Sequence, residues 1–198
     1  PDRQELWNIY QTKHAIVQFG FGFGYKGVDR AIDAVHKLKT TKPDVYDGPE
    51  DKIFYCYYCS ENPHTRNIHS EYVKTLNEKI EKLGLVDNVV IIRKWNTDQE
   101  INNILRTAKL AIFPYLINPG NVVYGASGAL RISFANGIPC IASESHLFDE
   151  IPGLPRPTDA DSLALEIDKV FADWKYKDRL IAQQDKYCED NNWEVSAD

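Results

Sequence analysis

Ala15-Ile16-Val17-Gln18-Phe19-Gly20-Phe21-Gly22-Phe23-Gly24-Tyr25-Lys26-Gly27 is the stretch whose reading decides the fold. It opens as a short apolar run over 15–19 that stops at Gly20, which reads as a strand. From Gly27 the period changes, and Val28, Ala31, Ile32, Val35 and Leu38 fall on one helical face. A strand that passes through a glycine-rich turn into an amphipathic helix is the first step of an alternating pattern.

The pattern continues. Asp47-Gly48-Pro49 is a turn, and a strand is expected over about Lys52–Cys59. Beyond Pro63 a helix is expected with Ile68, Tyr72, Leu76, Ile80 and Leu83 inward, ended by Gly84. Asn88–Arg93 is an unbroken apolar run of the kind found in strands buried on both faces of a parallel sheet. Thr97 followed by Glu100 forms a capping box that opens a helix with Ile101, Ile104, Leu105 and Ala108 inward. Leu110–Phe113 is the next strand, stopped by Pro114. Ser127 caps a helix to about Asn136, Gly137 closes it, and Pro139–Ser143 is a further strand. Leu163, Ile167, Val170, Phe171 and Trp174 form a last inward stripe, with a C-terminal helix from about Asp178. Strand and helix alternate about five times, which predicts an α/β fold. The expected form is a Rossmann-like three-layer sandwich, a mainly parallel sheet with helices on both faces. In such sheets ligands bind beyond the carboxyl ends of the strands.

Two of the loops at that edge suit an anion. In the first, alternating glycines including Gly22 and Gly24 permit a sharp turn and close backbone approach. Lys26 can offer its ammonium there, beside the positive end of the following helix. The spacing is neither Gly-x-Gly-x-x-Gly nor a Walker loop, and a structural turn with a solvated lysine is the alternative. In the second, Tyr124-Gly125-Ala126-Ser127-Gly128-Ala129-Leu130, small residues leave the first helical amides uncovered beside the Ser127 hydroxyl. Two such helix starts on one sheet edge suit a diphosphate better than either alone. Trp95 follows the third strand at the same edge and can stack on a base or pack.

Other residues carry less. The 198 residues include 43% hydrophobic and 26% charged, with a formal charge of −6, which is globular composition without the basic stripe of a nucleic-acid binder. Cys56 and Cys59 have redox or zinc spacing but lie within a strand, and buried thiols are expected. His14, His36, His64, His69 and His146 show no ligand spacing, with His36 and His69 expected at the surface of helices. Asp149-Glu150 is explained by a turn. With no methionine, no signal-peptide pattern and no apolar run of membrane length, the chain is expected to be cytoplasmic and numbered from inside a longer protein.

The glycine-rich loop ending Lys26-Gly27, Leu83-Gly84-Leu85-x-x-Asn88-Val89 and Ala135-Asn136-Gly137-Ile138-Pro139-Cys140-Ile141-Ala142-Ser143 occur in order. Together they resemble the C-terminal, donor-binding domain of retaining GT-B glycosyltransferases, especially glycosyltransferase family 4, in register from about Ala15 to Val170. The resemblance implies one half of a GT-B fold. Residues 14–191 would form the nucleotide-sugar-binding domain, 1–13 its linker or start, and 192–198 (with Asn192-Trp193-Glu194) the truncated start of a crossover helix. It implies that Gly22, Gly24, Lys26, Ser127 and Gly128 bind the donor diphosphate, and that Trp95 lies near the base. It implies no metal or other cofactor, no nucleic-acid partner, and an N-terminal domain outside this chain that holds the acceptor and carries any peripheral membrane contact. Phe21 falls where the family has an arginine. Tyr124 and Ile132 fall where it has two glutamates, at the transferred sugar and the ribose, so neither position supplies a carboxylate. The Ser127-Gly128-Ala129-Leu130 form is similar to a divergent branch lacking that pair. Alternatives are a non-catalytic nucleotide-sugar-binding module, or half of a sugar-nucleotide epimerase.

Overall fold

A computed structural model describes residues 12–48, 51–60, 66–116 and 127–191, with 66–68 described as backbone only. The first strand, β1, spans Ala15–Phe21, and a one-turn 3-10 helix at Gly24–Lys26 leads into α1, Val28–Thr41. After the short α2, Pro43–Tyr46, come β2, Phe54–Ser60, and α3, Arg66–Lys82. Next are β3, Val89–Arg93, α4, Asp98–Thr107, and β4, Leu110–Phe113. Finally α5, Gly128–Ala135, is followed by β5, Cys140–Ala142, then α6, Ala160–Ala172, and α7, Trp174–Asp190.

The five strands form one sheet in the order β3-β2-β1-β4-β5, and every pairing is parallel. The chain winds outward from β1 through β2 to β3, then returns to the other side of β1 for β4 and β5. Right-handed crossovers therefore place α1 and α3 on one face and α4 and α5 on the other. Packing of α1 against α3 and α6, and of α5 against α7, completes the two helical layers. The winding reverses between β1 and β4, which opens a crevice at their carboxyl ends.

The capping box at Thr97 and Glu100 is formed, with Ile101 and Leu105 buried beneath it. Cys56, Cys59 and Cys140 are buried thiols on strands. At the β5 edge the buried Gln184 of α7 accepts from the Cys140 amide (2.8 Å) and donates to the Ile138 carbonyl (2.9 Å), so a side chain takes the place of a sixth strand. No helix among the described residues is long and apolar enough to cross a membrane.

Three expectations are corrected. Strand β3 is not buried on both faces: it is an edge strand, and Val90, Ile91 and Ile92 are only half-buried. Trp174 is not on the α6 stripe. Asp173 accepts from the Lys175 and Tyr176 amides, which starts α7 at Trp174 rather than near Asp178 and turns the indole outward, 65% exposed. His69 is not at the surface but fully buried, because the loop after β1 folds over it. The segments 1–11 and 192–198, Pro63, the Ile68 side chain and the loop carrying Tyr124 lie outside the described residues.

Candidate functional site at the carboxyl edge of the sheet

The loop after β1 is fastened from below by polar side chains inside the sheet. Gln18, fully buried on β1, donates to the Lys26 backbone carbonyl (3.0 Å), and the buried Tyr55 hydroxyl donates to the Gln18 side-chain oxygen Oε1 (2.6 Å). Tyr57 donates to the Phe21 carbonyl (2.8 Å). The Gln18 and Tyr57 bonds tie two backbone carbonyls of the loop to the sheet, and they hold the backbone at Lys26 in place.

The glycines of this loop do different jobs. A Cβ on Gly22 would lie 2.7 Å from Cys59 Sγ, so packing alone accounts for that glycine. Gly24 is exposed, with nothing among the described residues within 4 Å of a Cβ. Gly27 combines φ +65° with a Cβ position only 1.8 Å from the Pro114 carbonyl oxygen. Only glycine lets the start of α1 press this closely against the end of β4.

That close approach brings Lys26 to Tyr115, the second residue after β4. Lys26 Nζ donates to Tyr115 Oη at 2.6 Å and lies 3.9 Å from the ring centroid. Tyr115 Oη is 3.3 Å from Ser127 Oγ, and Ser127 caps α5 by accepting from the Leu130 amide. An ammonium can only donate, so Tyr115 accepts from Lys26 and its own hydrogen is left for Ser127. Ser127 in turn keeps its hydroxyl hydrogen for a group outside. The result is a polarised chain running from a cation to the amino end of a helix. Beside it Gly128 is exposed, and a Cβ there would meet nothing within 4 Å among the described residues. Tyr115 is held from the other side by Ser143, whose hydroxyl donates to its carbonyl (2.6 Å).

Burial pushes the Lys26 ammonium down to about 8, and it pushes the Tyr115 hydroxyl up, so the tyrosine stays protonated as a donor. A desolvated cation beside the amino end of a helix suits an anion that neutralises it.

Of the residues expected at the site, Gly24, Lys26, Ser127 and Gly128 share this crevice, whereas Gly22 faces the core. Trp95 is 67% exposed after β3, with its ring 6.3 Å from that of Phe21. Phe21, Phe23 and Tyr25 continue the row toward Tyr115, with centroid separations of 6.1, 5.8 and 5.8 Å. Ile132 is on α5 and 40% exposed. Tyr124 lies outside the described residues. The reading of the sequence missed Tyr115, Gln18 and Tyr55. Tyr115 had a signal: it directly follows Pro114, which ends a strand at the ligand-binding edge.

No family model and no curated protein matches the sequence. Solved structures share its fold. HepE from Anabaena, in complex with UDP, is 17% identical with a TM-score of 0.72, over 98% of this chain and 48% of HepE. An α,α-trehalose-phosphate synthase (UDP-forming) from Burkholderia vietnamiensis is 10% identical with a TM-score of 0.78, over 97% of this chain and 44% of that one. The chain therefore spans about half the length of these proteins. The C-terminal domain of LpcC, a glycosyl transferase group 1 family protein from Francisella tularensis, is 17% identical with a TM-score of 0.69, over 95% of this chain and 91% of that domain. At these identities the likeness is one of fold, and the fold is that of the C-terminal domain of GT-B glycosyltransferases.

Proposed function

We propose that this chain is the donor-binding half of a GT-B glycosyltransferase of family-4 type. It would hold a nucleotide-diphosphate sugar at the crevice between β1 and β4, for transfer to an acceptor carried by an N-terminal domain. The observation that carries this reading is the Lys26–Tyr115–Ser127 chain at the switch point, ending at the amino end of α5. UDP in the HepE structure, on the same fold, supports the same ligand class.

The chemistry follows from charge. As the bond from the sugar to the diphosphate breaks, negative charge grows on the departing phosphate. Lys26, the Ser127 hydroxyl and the α5 amides offset that charge, each such contact contributing on the order of 2–4 kcal/mol to transition-state stabilisation. Gly24 and Gly128 let the phosphates approach the backbone. The base lies along the aromatic row at Phe21 and Trp95, where Phe21 offers a ring in place of the family's arginine. Lys26 supplies the cation at the diphosphate.

A second reading is a nucleotide-sugar-binding module without transfer. It is favoured by Ile132, an apolar side chain at the position of a family glutamate. Full-length protein that binds donor but neither transfers nor hydrolyses it would support this second reading. Calorimetric titration with UDP and GDP tests what both readings share. Binding is expected for at least one of the two and is abolished or strongly weakened by Lys26→Ala. Equal affinity of Lys26→Ala for the ligand that binds would contradict the site.

A further inference from the structure

At the opposite edge of the sheet, a cleft of about 370 Å³ opens where β1, β4 and β5 begin. Its walls carry Lys13, Arg106, Lys109 and Lys177, and no carboxylate among the described residues lines it. Lys13 pairs with Asp51 at 3.0 Å. Arg106, Lys109 and Lys177 have no acidic partner among the described residues. The nearby Asp173 is engaged in capping α7.

This is not the charge balance of the chain, which carries 29 acidic against 23 basic side chains. One cation here has a local explanation: Arg106 is in the last turn of α4, where positive charge offsets the helix dipole. Lys109 stands just past the same helix end and shares that explanation in part, whereas Lys177 is near the amino end of α7, where the dipole disfavours a positive charge. Cations that converge on a concave surface without counter-charge repel one another, and a bound anion relieves that repulsion. The cleft also has apolar walls at Ile138 and Phe171, which suit the body of a small molecule rather than a bare ion.

We infer that this cleft is a second anion site, built for a compact phosphate-bearing small molecule and separate from the crevice at Lys26. It lies on the amino edge of the sheet, whereas the Lys26 crevice lies on the carboxyl edge, so the two can be occupied together. The inference stands whether or not the chain binds a nucleotide sugar.

The test is an amide NMR titration of the chain with inorganic pyrophosphate, on the unaltered sequence, on Lys26→Ala and on Lys109→Ala/Lys177→Ala. Lys109 is exposed and Lys177 half-buried, and the unchanged remainder of each spectrum verifies that the fold is kept. Saturable shifts are expected at Lys109, Gly137 and Lys177, retained in Lys26→Ala. In the double variant the shifts remaining at Gly137 should report roughly tenfold weaker binding. Shifts confined to residues 20–27 and 127–130 would overturn the inference, as would non-saturating shifts spread over all surface lysines. Absence of any response at the Lys26 crevice in the unaltered chain, with the second site responding, would count against the proposed function and leave the second site standing.

Discussion

The two edges of the sheet handle charge in opposite ways. At the carboxyl edge one ammonium, Lys26, is largely desolvated and locked to Tyr115 at 2.6 Å. At the amino edge four cations share an open cleft, and the Lys13 side chain, for one, is 78% exposed. A buried, oriented cation gains much from a single anion and tolerates little geometric error, whereas exposed cations act collectively and are screened by salt. The first arrangement suits a site where charge develops at one atom, and the second suits retention of a charged ligand.

Several substitutions would break or sharpen that contrast. The largest effect is expected at Gly27. In Gly27→Ala a methyl group meets the Pro114 carbonyl at a backbone angle that alanine resists, so the crevice is wedged open and stability falls by about 3 kcal/mol, as measured by urea unfolding. Lys26→Ala comes next and is expected to weaken UDP binding roughly a hundredfold in calorimetry, with little change at the amino edge. Tyr115→Phe keeps the ring but removes the link to Ser127. Affinity should drop by about three- to tenfold, with about 1 kcal/mol of stability lost.

The pH response separates ligand binding from folding. Because Lys26 loses its proton near pH 8, UDP affinity is expected to fall as pH rises through that value, and Lys26→Ala should lack this limb. Stability moves the other way. The folded-state value is depressed below the ordinary lysine value, so between the two the unfolded chain binds more protons and stability rises with pH. Opposite slopes in calorimetry and in urea unfolding across the same window would identify Lys26 as the titrating group. The smallest effect belongs to the amino edge. Raising the salt concentration should weaken pyrophosphate binding there more than UDP binding at the crevice.

Much of the fold was legible because local chemistry and tertiary role agree. The change of period at Gly27 announces β1 and α1, and Thr97 with Glu100 marks the start of α4. What was not legible depends on partners distant in sequence. An apolar run such as Val89–Arg93 reads the same in a central strand and in an edge strand that a helix half covers. His69 reads as a surface residue until the loop after β1 closes over it, edge-on to Phe23 at 4.8 Å. At the site, Lys26, Ser127 and Gly128 stood out by residue type and position, and their shared place at the switch point follows from strand order. Tyr115 had its place after Pro114 as a signal, but its partnership with Lys26 requires Gly27 to press against Pro114, a contact 87 residues apart in the chain that no local pattern encodes.

The most direct test of the central claim is a crystal structure of the chain with UDP bound. The account predicts diphosphate oxygens within hydrogen-bonding reach of Lys26 Nζ and of the first amides of α5, with the base along Phe21 and Trp95. UDP ordered anywhere else, including the cleft at Lys109 and Lys177, with the Lys26–Tyr115 crevice empty, would contradict it.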